Sequence, residues 1–159
     1  MRDSIEISPA NEHDISALCE LLGILFSQEH EFQANPSIQQ RALTEIIADQ
    51  TIGTIFVARY REKAVGMLSL LYSVSTALGG RVAILEDMVV HPDFRNTGLG
   101  ARLLGHAKDV AYTTGCRRIT LLTDQTNLAA QRFYLRQGFN LSGMLPMRLL
   151  LTQDTQTTE

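Results

Sequence analysis

The stretch 84–101, which reads ILEDMVVHPDFRNTGLGA, joins an apolar run to a polar turn that carries two glycines, Gly98 and Gly100. The apolar run predicts a buried strand, and a helix is predicted to begin near Gly98. The first N–H groups of a helix have no partner within the helix and carry a partial positive charge. Because glycine leaves such backbone uncovered, an anion can approach it closely. The turn therefore favours a phosphate or pyrophosphate ligand, and Arg95 and Arg102 add positive charge nearby.

Two common phosphate-binding patterns do not fit this turn. A Walker loop requires G-x-x-x-x-G-K-[ST], but His106 and Ala107 follow Gly105 in place of the lysine and the hydroxyl residue. A dinucleotide fingerprint requires G-x-G-x-x-G, and Leu103 stands at the position of its third glycine. The sequence therefore disfavours nucleotide hydrolysis and dinucleotide binding.

The sequence does contain two other motifs. Residues 95–100 read R-x-x-G-x-G and follow a strand of the form L-E-D-M-V-V-x-P. Residues 127–139 read N-x-x-A-x-x-F-Y-x-x-x-G-F. Both segments resemble motifs of the GNAT superfamily of N-acetyltransferases, in the order that the superfamily has them. With the predicted elements the resemblance covers residues 4–151, and it implies an acetyltransferase that uses acetyl-CoA.

The resemblance also implies where acetyl-CoA binds. In that superfamily the pantetheine arm enters a gap between two strands that part at a bulge, so the backbone of Met88, Val89 and Val90 would hold it. Asn127 would contact the pantetheine or the diphosphate from the other side. The pyrophosphate would be held by the amides of the turn, namely Arg95, Asn96, Thr97, Gly98, Leu99, Gly100 and Ala101.

Acetyl transfer requires that the amine loses a proton and that the sulfur gains one. On a helix that starts at Asn127, Ala130 and Tyr134 share its face, and the resemblance implies that Tyr134 is the acid; a core tyrosine is the alternative. Glu86 and Asp87 are candidates for the base, directly or through water, or for binding a cationic amine. Because adjacent strand residues face opposite sides, only one should face the acceptor, and Glu86 is favoured. A structural salt bridge is the alternative for either carboxylate.

The periodicity around these motifs predicts an α/β (α+β) fold, with a mixed central sheet flanked by helices and, as the resemblance implies, a splayed strand pair. The predicted order is β-α-α-β-β-β-α-β-α-β-β. Phe26, a loop containing Phe32, and Tyr72 could wall the acceptor pocket or pack in the core. The predicted elements are a strand at 5–7, a helix at 15–26, a helix after Pro36, strands at 54–59, 64–71 and 81–90, a helix at 98–114, a strand at 119–122, a helix at 127–137, and closing strands at 139–141 and 147–151.

Composition narrows the functional classes. The chain has 159 residues, of which 45% are hydrophobic, and a net charge of −3. We expect one domain at 1–151 and a polar tail at 152–159. A mildly acidic chain is a poor ligand for nucleic acid, and no apolar run approaches the roughly 20 residues of a membrane span. Two cysteines without a signal-like N-terminus favour the cytoplasm, and no His or Cys spacing indicates a metal site.

The sequence leaves the acceptor and the assembly open. A carboxylate that faces the cleft favours a small cationic primary amine as acceptor, and a peptide amine is the alternative. A non-catalytic acyl-CoA-binding sensor or regulatory module is the second functional reading. The resembled family often dimerises, so a homodimer is possible.

Overall fold

The computed structural model describes residues 4–28 and 35–151, and all statements about structure refer to these residues. The predicted loop around Phe32 and the tail at 152–159 lie outside them. The elements in chain order are β1 (Ile5–Pro9), α1 (Ile15–Gln28), α2 (Pro36–Ala48), β2 (Gly53–Tyr60), β3 (Lys63–Ser75), β4 (Gly80–Val90), α3 (Leu99–Thr113), β5 (Ile119–Leu121) and α4 (Leu128–Arg136).

The five strands form one sheet in the order β1-β2-β3-β4-β5. The first four strands pair antiparallel, and β5 pairs parallel with β4. A parallel neighbour requires a crossover connection, which α3 supplies between these two strands. This arrangement confirms the predicted α/β fold with a mixed sheet.

Both faces of the sheet are covered, and each face has its own apolar core. On β2, Phe56 and Ala58 belong to the core under α3, whereas Ile55 and Val57 belong to the core under α1 and α2. Strands that are buried on both faces read as continuous apolar runs rather than as alternating ones. This burial explains why the central strands are so apolar.

A β-bulge interrupts the pairing of β3 with β4. Leu70 pairs with Leu85 and Leu68 pairs with Met88, so two residues of β4 stand opposite Ser69 alone. Ser69 is buried, and its hydroxyl accepts a hydrogen bond of 3.1 Å from the backbone N–H of Asp87. The bulge therefore lies at the two acidic residues 86 and 87.

The pairing of β4 with β5 ends at the same point. The last pair is Leu85 with Leu121, and residues 86–90 of β4 continue without a neighbour on that side. A bulge bends its strand and increases the local twist. The strands therefore separate where the sequence carries its acidic pair.

The predicted closing strands at 139–141 and 147–151 are absent from the structure. The segment 139–151 forms no regular secondary structure. The apolar pattern that predicted these strands measures only local preference, whereas a strand also needs a hydrogen-bonded neighbour. In a single copy of the chain this segment has none among the strands described.

None of the helices in the described ranges is both long and apolar enough to cross a membrane.

Candidate functional site

The N-terminus of α3 has no side-chain cap. Gly98 stands at the capping position with φ of +83°, in the left-handed region where side chains are strained. It has no side chain that could accept a hydrogen bond from the first N–H groups of the helix. The first bond within the helix runs from Arg102 N–H to the Gly98 carbonyl, at 3.1 Å. The amides of residues 99–101 make no hydrogen bond to any residue that the structure describes. They form a group of parallel donors at the positive end of a helix.

The turn before α3 is held by its own hydrogen bonds. The Thr97 hydroxyl donates to the Phe94 carbonyl at 2.5 Å, and Asn96 adopts a left-handed φ of 60°. Asparagine tolerates that conformation better than most side chains. The Arg95 side chain donates from Nε to the Val90 carbonyl at 3.2 Å. These contacts tie the turn to the end of β4.

The end of β4 presents a free backbone edge. The N–H of His91 donates to the Val65 carbonyl on β3 at 2.8 Å. Because backbone groups alternate between the two edges of a strand, those of Val90 and Met88 point to the opposite edge, from which β5 has parted. The bond from Arg95 to the Val90 carbonyl agrees with this direction. An extended chain could add to this edge as a further strand.

These features open into one cleft of about 560 Å³ between β4, the turn, α3 and α4. That volume suits a small organic ligand. Of the residues that sequence analysis predicted to bind the cofactor, all but Thr97 and Asn127 line this cleft. Its lining comprises Met88, Val89, Val90, Phe94, Arg95, Asn96, Gly98, Leu99, Gly100, Ala101, Ala130, Phe133, Tyr134, Arg136 and Gln137.

The two predicted binding residues that do not line the cleft have local structural contacts. Thr97 stabilises the turn through its hydroxyl. Asn127 caps α4, and its side-chain oxygen accepts a hydrogen bond of 3.1 Å from the Ala130 N–H. An N-cap asparagine of this kind stabilises a helix by about 1 kcal/mol.

Glu86 and Asp87 lie at the bulge and do not line the cleft, although Met88 beside them does. Glu86 is exposed, and Asp87 is half-buried. Neighbouring residues of a regular strand face opposite sides of the sheet, which favoured Glu86 over Asp87. That rule fails across a bulge, since the extra residue changes the direction of the side chains. The structure therefore removes the reason for choosing one carboxylate by alternation.

Tyr134 connects α4 to β4 across the cleft. Its hydroxyl donates to the Sδ atom of Met88 at 3.8 Å. Its ring packs edge-to-face on Phe133 at 5.3 Å and on Phe139 at 5.7 Å. Burial raises the pKa of the Tyr134 phenol above its ordinary value. The phenol is thus a protonated donor directed at a sulfur atom inside the cleft.

The charge of the cleft favours an anion. Arg95 and Arg136 line it, and the lining contains neither aspartate nor glutamate. Arg102 does not line it, because its guanidinium donates to the Ile5 carbonyl on β1 at 3.3 Å. Arg132 and Arg136 lie four residues apart on α4, and only Arg136 lines the cleft.

Several contacts hold the side chain of Tyr72. This residue was predicted either to line the acceptor pocket or to pack in the core. Its hydroxyl lies 2.7 Å from the Thr54 hydroxyl, and the Arg81 guanidinium lies 4.2 Å from the centre of its ring. It also packs against the core under α3. These contacts favour the packing role.

In the described ranges no cluster of side chains supports metal chemistry or thiol chemistry. No group of three or more His, Cys, Asp or Glu side chains there could hold a metal ion. Burial raises the pKa of the Cys19 and Cys116 thiols, which opposes formation of the nucleophilic thiolate.

Residues 16–139 match the sequence model of the acetyltransferase (GNAT) family. An uncharacterized N-acetyltransferase, YhfO of Bacillus subtilis, is 31% identical over 137 residues, covering 85% of this chain and 89% of that protein. The glucosamine 6-phosphate N-acetyltransferase of Trypanosoma brucei brucei is 30% identical over 142 residues, covering 85% and 88%. A solved structure of a transcriptional regulator from Bacillus halodurans superposes with a TM-score of 0.78 at 30% identity, covering 91% and 99%.

Gly98, which caps α3, and Gly105, which lies inside it, should respond oppositely to substitution by alanine. Gly98→Ala should lower the free energy of unfolding by about 1–2 kcal/mol, because its φ of +83° strains any side chain. Gly105→Ala, in the interior of the same helix with no atom within 4 Å of the added Cβ, should raise it by about 1 kcal/mol. Urea denaturation measures both, and stabilisation by Gly98→Ala would contradict the strained geometry of the turn.

Proposed function

This chain belongs to the GNAT family of acetyltransferases, and we propose that it transfers the acetyl group of acetyl-CoA to the primary amine of a small cationic acceptor, by direct attack within a ternary complex. The proposal depends on the observation that three features lie together in one cleft. They are the uncapped N-terminus of α3, the free edge of β4, and the Tyr134 phenol. On this proposal residues 1–151 form a single catalytic domain.

The donors of the cleft fit coenzyme A. The free amides of residues 99–101 suit its diphosphate, and the guanidinium groups of Arg95 and Arg136 add charge beside them. The edge of β4 at Met88 and Val90 suits the amide groups of the pantetheine arm. Because Arg95 already donates to the Val90 carbonyl, the Val90 N–H and the backbone groups of Met88 are the partners left for that arm.

The reaction forms one bond and breaks another. Acetyl-CoA, when bound, supplies a carbonyl activated by its thioester. A C–N bond forms between the amine and the carbonyl carbon, and the C–S bond breaks. The amine nitrogen loses one proton, and the departing sulfur takes one. The protein therefore has to accept a proton on the acceptor side and supply one on the sulfur side.

Tyr134 is proposed to supply the proton. Its hydroxyl already donates to a sulfur atom, that of Met88, from within the cleft. Because burial raises the pKa of the phenol, Tyr134 keeps its proton at neutral pH. After donation to the leaving sulfur, the phenolate regains a proton from water. The rings of Phe133 and Phe139 hold Tyr134 in this position.

Glu86 and Asp87 are proposed to serve the acceptor. They adjoin Met88, which lines the cleft, but they lie outside the lining themselves. A carboxylate beside the cleft attracts an ammonium group and can take up its proton, directly or through water. The exposed Glu86 is the better placed for a solvated acceptor. These carboxylates are the reason for proposing a cationic amine.

A second candidate function is a non-catalytic acyl-CoA-binding sensor or regulatory module. The similarity to a transcriptional regulator from Bacillus halodurans favours it. Such a module would bind the same anion in the same cleft. It would have no need for a proton donor directed at a sulfur atom, so the Tyr134 variant described below also separates the two functions.

The acceptor class can be tested by thiol release from acetyl-CoA with a panel of amines. We expect a higher kcat/KM with spermidine and glucosamine than with glucosamine 6-phosphate, the amine for which the Trypanosoma brucei brucei relative is named. Glu86→Gln should raise KM for the cationic amines while binding of CoA stays unchanged. A preference for the phosphorylated sugar would contradict a cationic acceptor, and CoA binding without thiol release from any amine would favour the sensor.

Blocking the amides of α3 should prevent binding of CoA. A Cβ at Gly100 would already lie 3.5 Å from Met88 and from Phe133, so Gly100→Trp must fill the cleft. Losing one charge-assisted hydrogen bond or more, at about 1.5–3 kcal/mol each, should weaken Kd at least roughly tenfold. Isothermal titration with CoA measures this, with Gly105→Trp on the same helix as the matched control. Unchanged affinity in Gly100→Trp would contradict the amide site.

Tyr134→Phe should lower kcat by roughly a hundredfold, the usual contribution of a general acid. The phenylalanine keeps the packing on Phe133 and Phe139, so thermal stability and the Kd of CoA should change little. Steady-state kinetics and CoA titration measure the two effects. Tyr112→Phe, at an exposed position of α3, is the matched control. Equal losses in kcat and affinity would assign Tyr134 to packing alone.

The pH profile gives a second test of Tyr134. Its raised pKa keeps the phenol protonated at every pH below the ordinary tyrosine value of about 10, so the acid is present throughout that range. The kcat of the wild type should therefore not fall between about pH 7 and pH 9. A fall in that range that Tyr134→Phe abolishes would show that the phenol ionises too early to be the acid.

A further inference from the structure

The helix that carries Tyr134 is short and lies near the surface. α4 has nine residues, Leu128–Arg136, and none of them is fully buried. A helix of this length is marginally stable on its own in water, so contacts with the rest of the fold must hold it in place. The position of the Tyr134 hydroxyl therefore depends on how α4 is anchored.

The C-terminus of α4 is closed by a Schellman motif. The Phe139 N–H donates to the Tyr134 carbonyl at 3.0 Å, and the Gly138 N–H donates to the Leu135 carbonyl at 3.1 Å. Gly138 has a left-handed φ of +97°, as this motif requires. The Phe139 ring packs on the Tyr134 ring, with the two centres 5.7 Å apart. This turn therefore holds both the backbone and the ring of Tyr134.

Lys108 joins this turn to α3. Its Nζ atom donates a hydrogen bond of 2.7 Å to the carbonyl of Gln137, the residue that follows α4 at the capping position. A cation at that end of a helix is favoured by the partial negative charge of the last carbonyls. Lys108 is half-buried, and no carboxylate of residues 4–28 or 35–151 forms a salt bridge with it. Its charge is therefore directed at the end of α4.

α3 and α4 meet at two points, one on each side of Tyr134 in the chain. A Cβ at Gly100 would lie 3.5 Å from the Phe133 ring, so this glycine allows a close approach near the start of α3. Lys108 reaches Gln137 from a position eight residues later, which is about 12 Å further along the axis of α3. The turn of α4 that contains Tyr134 is thus held by α3 through both of its neighbours.

We propose that Lys108 is a positioning residue for acetyl transfer, which holds the last turn of α4 through the Gln137 carbonyl so that the Tyr134 hydroxyl is directed at the leaving sulfur. This role rests on the proposed function, in which Tyr134 is the acid. One helix then sets both ends of the proton transfer, because the first amides of α3 bind the diphosphate of CoA and Lys108 holds the donor.

Direct binding of the cofactor by Lys108 is the rival role. Gln137 and Arg136 line the cleft, but Lys108 does not. The positive charge of the lining comes from Arg95 and Arg136. The ammonium group of Lys108 meets a main-chain carbonyl behind that lining. Removing it should therefore act on kcat more than on the binding of CoA.

Steady-state kinetics in a double-mutant cycle test this role. Lys108→Met keeps the length of the side chain but removes the donor, and it should lower kcat about tenfold, since a small displacement of a catalytic group is costly. The Kd of CoA should change much less. In a Tyr134→Phe background the same substitution should lower kcat no further, because residues that act through one another are not additive. A full tenfold loss in that background would assign Lys108 to general stability and overturn the proposal.

Two further variants serve as controls. Lys108→Arg keeps a cationic donor, and a single carbonyl does not require the compact ammonium, so this variant should retain most of kcat. Lys63→Met makes the same change at the other lysine of the chain, which is exposed at the start of β3, and should match the wild type. A loss in either control equal to that of Lys108→Met would overturn the proposal.

The packing of Tyr134 can also be measured without acetyl-CoA. Because burial is the cause of its raised pKa, the pKa of the phenol reports how closely the ring is packed. Titration by NMR with isotope-labelled tyrosine should give a lower pKa for Tyr134 in Lys108→Met than in the wild type, and Tyr134→Phe identifies the signal. An unchanged pKa would overturn the positioning role. If the pKa falls but no amine releases thiol from acetyl-CoA, the proposed acetyl transfer fails while the dependence of Tyr134 on Lys108 is upheld.

Discussion

The separation of β4 from β5 after Leu85 is the constraint on which the site depends. Buried backbone N–H and C=O groups need partners, and a strand normally finds them in its two neighbours. Here β4 keeps β3 on one side but loses β5 on the other for residues 86–90. The bulge opposite Ser69 accompanies this loss, because the extra residue bends the strand away. A free backbone edge inside a folded protein is a binding surface for an extended ligand.

The start of α3 adds a second set of free backbone groups beside the first. Its amides at 99–101 face the same cleft as the edge of β4, and Gly98 allows the chain to enter the helix without a side chain in the way. Leu103 and Leu104 are fully buried under the sheet and fix the position of this helix. The cleft thus offers mainly main-chain groups to a ligand, so the side chains of the turn can be small or ordinary.

The candidates for proton transfer lie in different surroundings. Tyr134 lies within the cleft, where aromatic neighbours exclude water and raise its pKa. Glu86 and Asp87 lie at the bulge beside the cleft, closer to solvent. A neutral donor inside the cleft suits a leaving sulfur. Negative charges outside the cleft suit an incoming ammonium group. The parting of the two strands therefore creates the free edge of β4 and separates the proposed acid from the proposed bases.

The sequence by itself determined the order of the elements through β5 and α4, the glycine-bearing turn, and nearly all of the lining that was predicted for it. These depend on local preferences: strand and helix periodicity, the conformation of glycine, and the free amides of a helix start. Only the tertiary structure decided that the bulge lies opposite Ser69, that Arg136 and not Arg102 lines the cleft, and that the strand pattern after Phe139 finds no partner in one copy. Each of these depends on contacts between residues far apart in the chain, and no local pattern contains that information.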